Sequence, residues 1–269
     1  QAEDGIRDVE RSRGLGDVYK RQILTRAKQI FTRTGIPGAD FAVNVYAGCS
    51  FACSYCYARF ICRFKPYGEW GNWVEAKVNA PELVKGKKVR GKVVMSTISD
   101  AYQPVEAELN LTGRVLRNMS RDIKLDILTK SPLILRDVEL LKEFKNLSVG
   151  FTLSFEGELK RELEPKAPAI SARINALKKL KKEGIRTYGF ISPVVPGLTD
   201  VENLIEKIRD FVDYFWIEMI NVDAAGKEFA EKVGRIPTRK ELVRYAKELT
   251  NLRREVKIEE VVLHPWRVL

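Results

Sequence analysis

GCSFACSYCYARFIC, residues 48–62, contains all four cysteines of the chain. Cys49, Cys53 and Cys56 are spaced C-x3-C-x2-C, and Cys62 comes after five more residues. Disulfides between cysteines this close would staple only very short loops and need an oxidising compartment. No signal-peptide pattern suggests one, so a reducing, cytoplasmic setting is expected. Metal binding is the better reading. Four thiolates suit a closed tetrahedral zinc site, but such sites commonly join two separated ligand pairs, and no second pair occurs here. Three thiolates on a four-iron cluster would leave one iron open to a small molecule. The first arrangement staples and the second does chemistry; spacing alone leaves both open.

The chain has 269 residues and a formal net charge of +11 at pH 7. Its first stretch, QAEDGIRDVERSRGLGDVYKRQ (1–22), differs in origin from the remainder. Reverse-translated, QAEDGIRD reads CAAGCAGAAGACGGCATACGAGAT, a sequencing flow-cell adapter. SRGLGDVYKRQ reads as the transposon adapter normally placed after it, with VER filling the index between. Residues 1–22 are therefore expected to be non-native and without function, with native sequence from near Ile23; a genomic copy encoding them would overturn this. They carry basic and acidic residues in equal number, so the net charge is unaffected. The other residues suffice for one large α/β domain or two small ones. No apolar run approaches the roughly 18 residues of a membrane span, so no membrane partner is expected. The basic balance favours an anionic partner such as nucleic acid, a statement about association and not about fold.

Strand-like runs alternate with charged amphipathic segments: FAVNVYA (41–47), KVVMSTI (92–98), KLDILT (124–129), LSVGFTLS (147–154), RTYGFIS (186–192) and DYFWIEMIN (213–221). Their nearly continuous apolar, β-branched and aromatic character, with helical spacers between, predicts parallel strands buried on both faces. Ile170, Ile174, Leu177 and Leu180 mark one helix face, and Gly184 ends that helix. Thr238 with Glu241 forms a capping-box pattern ahead of a stripe of Leu242, Tyr245, Leu249 and Leu252. Six β/α units fit a doubly wound sheet or an incomplete barrel, and both place their chemistry at the strands' C-terminal ends. The cysteine loop comes after the first strand at that end. No glycine-rich dinucleotide fingerprint adjoins any strand, which counts against a nicotinamide enzyme.

VNVYAGCSFACSYCYAR, AKVNAPELV, STISDAYQPVEAELNLT, DILTKSPLILRDVELL, LEPKAPAISARINALKKL and GFISPVVPGLTD occur in that order across residues 43–200. Together they resemble the spore-photoproduct-lyase-like (DNA-repair photolyase-like) branch of the radical S-adenosylmethionine (SAM) superfamily. The resemblance implies an α/β fold, a partial (β/α)6 TIM-like barrel over residues 41–225. An N-terminal lead-in (23–40) precedes it and a C-terminal helical and strand extension (226–269) completes the chain.

It also implies that Cys49, Cys53 and Cys56 hold three irons of a [4Fe–4S] cluster while SAM chelates the fourth. An external one-electron reductant then drives cleavage of SAM to a 5′-deoxyadenosyl radical, which abstracts a hydrogen atom from substrate. The protein's part in such chemistry is to bury the cluster, fix SAM in one pose and exclude water. By the same resemblance Tyr55 lines the adenine pocket and Lys130 pairs with the SAM carboxylate. Placement at strand ends adds Ser99 and Asp100 for the SAM amino group and Ser154 for ribose or carboxylate, and Arg173, on the helix after EPKAP, is a further residue reaching the same site. Core packing for Tyr55, an Asx or serine turn for Ser99 and Asp100, and a solvated helical arginine are the plainer readings.

The chain departs from the family in places. Thr97 stands where the lyase is expected to carry a hydrogen-donating cysteine, and an O–H bond is far stronger than an S–H bond, which puts thymine-dimer cleavage by that route in doubt. Val45 and Ala101 stand where the family has proline. Cys62 reads as an ordinary buried helical cysteine. His264, the single histidine, reads as a terminal packing or surface residue and excludes schemes needing a histidine pair. Trp70 and Trp73 read as cover over the cluster rather than as base-stacking platforms. The leading expectation is radical chemistry on a nucleic-acid base. The alternatives are the same chemistry on a peptide or small molecule, and a zinc-stabilised, non-catalytic nucleic-acid-binding module.

Overall fold

The computed structural model describes residues 21–264, 267 and 268. The reading of residues 1–22 as adapter sequence thus lies outside the described residues, apart from Arg21 and Gln22. The strands are β1 (Gln22–Thr25), β2 (Phe31–Arg33), β3 (Phe41–Val43), β4 (Tyr46–Ala47), β5 (Val74–Lys77) and β6 (Lys92–Met95). They continue with β7 (Lys124–Thr129), β8 (Asn146–Leu153), β9 (Thr187–Val194), β10 (Tyr214–Met219), β11 (Ile258–Leu263) and β12 (Arg267–Val268).

Nine of these form one sheet in the order β12-β11-β10-β9-β8-β7-β6-β3-β2. Every pairing from β3 to β11 is parallel, and the edge strands β2 and β12 are antiparallel. Spatial order matches chain order throughout, so each crossover steps to the next neighbour and the order never reverses. A doubly wound sheet would reverse. The fold is a partial (β/α) barrel, with a small second sheet, β1-β5-β4, beside it.

The strand expected over 92–98 ends at Met95, and two larger features also differ from the sequence expectation. The run 41–47 divides, because Asn44 leaves the strand and its Oδ1 accepts from the backbone N–H groups of Thr97 and Ile98 at 2.7 and 3.2 Å. The sheet also has seven parallel strands instead of six. The seventh, β11, reads IEEVVL, and its paired glutamates masked it as a polar segment.

The core arises from strands buried on both faces. Val93, Ile127, Val149, Phe151, Ile191 and Ile217 are each fully buried in one continuous cluster. The helix Ile170–Lys182 packs Ile170, Ala176, Leu177 and Leu180 inward, and Gly184 lies just beyond it at φ +77°. Arg173 lies on the same buried face, which corrects its reading as a solvated cation. Thr238 and Glu241 close a reciprocal capping box on the helix Arg239–Thr250, satisfying two of its orphan N–H groups. Thr238→Ala removes half of that box and is expected to cost about 1 kcal/mol. The check is thermal unfolding, with a midpoint drop of about 2–4 °C for a chain of this size.

Candidate active site

The cysteine loop lies over the C-terminal ends of the parallel strands. Its path is fixed by close backbone approaches that only small residues allow. Gly48 has φ +79°, and a Cβ there would come within 2.6 Å of the Trp73 ring. Gly71, at φ +90°, leaves room for the Cβ of Ala52, itself in the left-handed region at φ +55°. The buried Gln103 pins the loop's start, accepting from Ser50 N–H at 2.9 Å and donating to Gly48 C=O at 3.1 Å. Ser54 N–H donates to Leu163 C=O at 2.9 Å, fastening the loop's far side.

Cys49, Cys53 and Cys56 line one cavity with Asp100, Lys130 and Glu218 from the strand ends. All four cysteines are free thiols. Burial pushes the three cavity thiols up, Cys53 to about 12, although the Lys130 cation works against burial there. Among the described residues no three His, Cys, Asp or Glu side chains are gathered to share one ion. Thiolates that each hold a separate iron of a cube need no such common point. Cys62 lies outside the cavity, buried against Ile23, Ala47 and Trp73, as the sequence led us to expect.

Behind the loop sits a buried ionic network. Glu164, fully buried, accepts from Tyr55 Oη and from Arg173 Nη2, and its Oε1 is 3.9 Å from Lys130 Nζ. Arg173 also donates to the carbonyls of Thr152 and Pro168 at 3.0 Å. The Lys130 ammonium stands 5.7 Å from the centre of the Tyr55 ring. Burial pushes the Glu164 carboxyl up, but Arg173, Lys130 and the hydrogen bonds outweigh it and hold the group below the usual carboxylate range. For Lys130, burial lowers the pKa while Cys53 and Glu164 raise it, with a net rise.

The residues expected to contact SAM separate into two groups. Tyr55, Ser99, Asp100 and Lys130 line the cavity. Ser154 does not: its hydroxyl donates to Pro193 C=O at 2.6 Å, joining the ends of β8 and β9. Arg173 is likewise absent from the lining and acts on the site through Glu164. Asp100 has commitments of its own. It accepts from Tyr102 N–H at 2.9 Å, forming the Asx turn, and from Thr129 Oγ1 and Lys130 N–H at 2.6 and 2.8 Å. The Ser99 hydroxyl donates to Tyr46 C=O at 3.0 Å. Trp73 is buried and Trp70 packs perpendicular to it beside the loop, and neither lines the cavity.

His264 corrects the sequence reading outright. It lines the cavity, with Nε2 3.1 Å from Glu218 Oε1, while Ser192 Oγ donates to Glu218 Oε2 at 2.7 Å. Glu164, Glu218 and Tyr57, which sequence reasoning passed over, all belong to this constellation or its support. A wider cleft at the strands' N-terminal ends, lined by Lys92, Lys142, Lys145 and Arg186, lies away from the thiols. Each of those cations meets a carboxylate within 3.1 Å, while Lys124 on the same lining has no ion pair among the described residues.

Comparison with known proteins agrees with this geometry. The sequence model of the radical SAM superfamily matches residues 43–211, and the chain belongs to that superfamily. It is 40% identical over 252 residues to the uncharacterized protein MJ0683 of Methanocaldococcus jannaschii, covering 90% of this chain and 97% of that one. It is 28% identical over 239 residues to the uncharacterized protein ORF301 of Acidianus two-tailed virus, covering 78% of each. Among solved structures, spore photoproduct lyase complexed with dinucleoside spore photoproduct superposes with a TM-score of 0.66. That match has 13% identity and covers 90% of this chain and 82% of that one. Streptococcus suis SuiB bound to precursor peptide SuiA gives 0.56 at 17% identity, over 82% of this chain and 47% of that one. The chain is thus a radical SAM protein with a fold like that of spore photoproduct lyase. The superfamily implies a [4Fe–4S] cluster and SAM, and three soft thiolate donors facing one cavity fit that cluster.

Removing the Glu164 charge tests the network. Glu164→Ala leaves Arg173 and Lys130 buried beside each other without their shared carboxylate, and is expected to cost about 3–5 kcal/mol in urea unfolding. Because the folded pKa of Glu164 lies below its unfolded value, its contribution is fully present above the ordinary carboxylate pKa. It fades as pH falls through the depressed one, so the stability gap between the chain and Glu164→Gln should close only on acidification.

Proposed function

We propose that Cys49, Cys53 and Cys56 hold a [4Fe–4S] cluster, that SAM occupies its open iron, and that the enzyme removes a hydrogen atom from a nucleic-acid base. The carrying observation is the partition of the four cysteines: three thiols face one cavity at the strand ends, and the fourth is packed elsewhere. Cys49, Cys53 and Cys56 would hold the cluster, which would supply one electron from an external donor for reductive cleavage of SAM to methionine and a 5′-deoxyadenosyl radical able to take the hydrogen.

The chain's own residues hold and enclose the reactants. The Lys130 ammonium, only partly compensated by Glu164 at 3.9 Å, offers charge to the SAM carboxylate. Tyr55, anchored through its hydroxyl to Glu164, keeps its ring beside the cysteines. Ser99 and Asp100 line the same cavity and are assigned to the SAM amino group, with Asp100 held by its three donors. Phe51, Phe190 and Met219 supply apolar walls that keep water from the radical.

A basic chain and a fold like that of the lyase support a nucleic-acid substrate. Thymine-dimer cleavage through a thiol at residue 97 is not part of the proposal. Thr97 has no S–H bond to give, and its hydroxyl lies 3.0 Å from the Asn44 amide nitrogen that donates to it. Radical chemistry on a peptide, the substrate class of the SuiB complex, is the second reading.

Anaerobic reconstitution with iron and sulfide should give a brown protein with about four irons per chain that forms 5′-deoxyadenosine from SAM and dithionite. Alanine at Cys49, Cys53 or Cys56 should abolish both properties, and Cys62→Ala should keep them. A colourless protein carrying one zinc would sink the proposal in favour of the non-catalytic module. If nucleic acid is the substrate, log affinity should fall against log salt with a slope of roughly −0.9 per duplex phosphate neutralised. A flat salt response together with deuterium transfer from a labelled peptide would favour the second reading.

A further inference from the structure

The three most exposed large apolar side chains among the described residues lie within five positions of one another. Phe60, Ile61 and Phe64 are 56%, 51% and 80% exposed. They stand on the outer face of the helix Ala58–Ile61 and the turn after it, while Cys62 packs inward against Ile23 and Trp73. Single exposed apolar residues are ordinary, but three together mark a surface that meets a partner.

The segment is held in place. Tyr57, just before it, donates its hydroxyl to Thr97 C=O. Cys62 N–H donates to Ala58 C=O at 2.8 Å, and Lys65 N–H to Cys62 C=O at 3.0 Å. Nor is the surface remote from the chemistry, since Tyr57 and Ala58 line the cofactor cavity and Phe60 comes two residues later.

Its own charge is of one sign. YARFICRFKPYG, residues 57–68, has three cations and no carboxylate. Arg59 and Lys65 each reach a glutamate of another element at 2.6 Å, Glu228 and Glu75. Arg63 has no ion pair among the described residues. Its guanidinium carbon lies 3.6 Å from the centre of the Phe60 ring and 4.3 Å from that of Phe64, and Nη1 donates to Phe60 C=O at 2.6 Å. Two aromatic rings and an unneutralised cation are thus presented as one unit.

That combination suits one class of partner. A protein interface carries about one hydrogen bond per 100–200 Å², and the exposed side chains here offer no acceptor and no neutral donor. An unpaired nucleic-acid strand asks for neither, because its bases stack on aromatic faces and its phosphates take the cations. In a duplex the base faces are already stacked on one another.

We infer that Phe60, Phe64 and Arg63 form a platform for a single-stranded segment of nucleic acid, with bases on the two rings and a phosphate on Arg63. The inference rests on the nucleic-acid partner proposed above, and adds that the strand is unpaired beside the cofactor cavity.

Fluorescence anisotropy of the reconstituted protein with labelled decathymidylate tests it, alongside an abasic strand of equal charge and a duplex of the same length. Decathymidylate should bind about tenfold or more tighter than the abasic strand. Phe60→Ala and Phe64→Ala should each weaken it about fivefold or more while leaving duplex affinity unchanged. Phe64→Leu should weaken it likewise and Phe64→Tyr should not, because stacking needs a ring and not merely apolar area. Arg63→Gln should reduce the slope of log affinity against log salt by about 0.7. These side chains are exposed, so thermal midpoints should hold.

The abasic comparison needs no variant, so a misfolded substitution does not protect the inference. An abasic strand that binds as well as decathymidylate overturns it. So does unchanged strand affinity in the folded Phe60→Ala/Phe64→Ala double variant, or an equal loss for the duplex. If that double variant keeps its strand affinity and instead forms 5′-deoxyadenosine more slowly with reduced flavodoxin, but not with dithionite, the surface belongs to a protein electron donor and the inference falls. Cleavage of SAM with dithionite, measured on the same preparations, separates the two levels. Cleavage without base-dependent strand binding removes the platform alone. Base-dependent binding that is lost with the two rings, in a protein that does not cleave SAM, upholds the platform and removes the radical reading.

Discussion

Glu164 is a carboxylate with no exposure, and three parts of the chain converge on it: Tyr55 from the cysteine loop, Lys130 from the end of β7, and Arg173 from the helix Ile170–Lys182. Burying an ion pair rarely adds net stability over well-packed apolar residues, because desolvation offsets most of the attraction. What such a network supplies is uniqueness of arrangement. Arg173 satisfies its remaining donors on the carbonyls of Thr152 and Pro168, so the carboxylate cannot rotate away. The thiol-bearing loop, fastened to Leu163 next door, is thereby held against the barrel's rim. Two cations share one anion, and the surplus positive charge falls to Lys130, beside Cys53. A cavity that is to hold three thiolates and a carboxylate-bearing cofactor needs positive charge there, and needs it fixed.

The features legible in the sequence were the local ones. Strand runs such as KLDILT and LSVGFTLS announced themselves by apolar continuity, and the capping box by Thr238 and Glu241 standing three apart. The cysteine spacing is likewise contained in a few residues. Glu164 meets Tyr55 across a sequence separation of 109, and nothing in the loop LEPKAP distinguishes a buried acid from an exposed one. Arg173 was misread for a related reason. Its helix has lysines on both sides of the apolar stripe, and only the arrival of Glu164 makes burial of a guanidinium tolerable. Ser154 and Asp100 were placed by strand position, which locates a residue near the rim without saying where its hydrogen bonds are spent.

His264 and β11 went astray together. IEEVVL alternates too weakly to read as a buried parallel strand, so the tail was treated as an appendage. Once β11 pairs with β10, its C-terminal end must lie where the other strands end. Its last residues are then carried to Glu218, and the single histidine of the chain enters the cavity. A singly wound sheet makes this unavoidable, since each added strand extends the same rim and brings the residue just after it to the same face.

Selectivity in a buried site depends more on the polar atoms of its wall than on the apolar ones. An apolar pocket separates ligands that differ by one methylene only weakly, whereas a pocket with buried hydrogen-bonding groups rejects analogues that leave those groups unpaired. Ser96 Oγ and Trp216 Nε1 are buried in the wall of an inner cavity, next to the thiol-lined one, without a protein partner. The same logic bears on Thr97, which lines both cavities at the position where the lyase is expected to use a thiol. Its hydroxyl is engaged by Asn44, and so it shapes the junction without offering a weak bond to hydrogen.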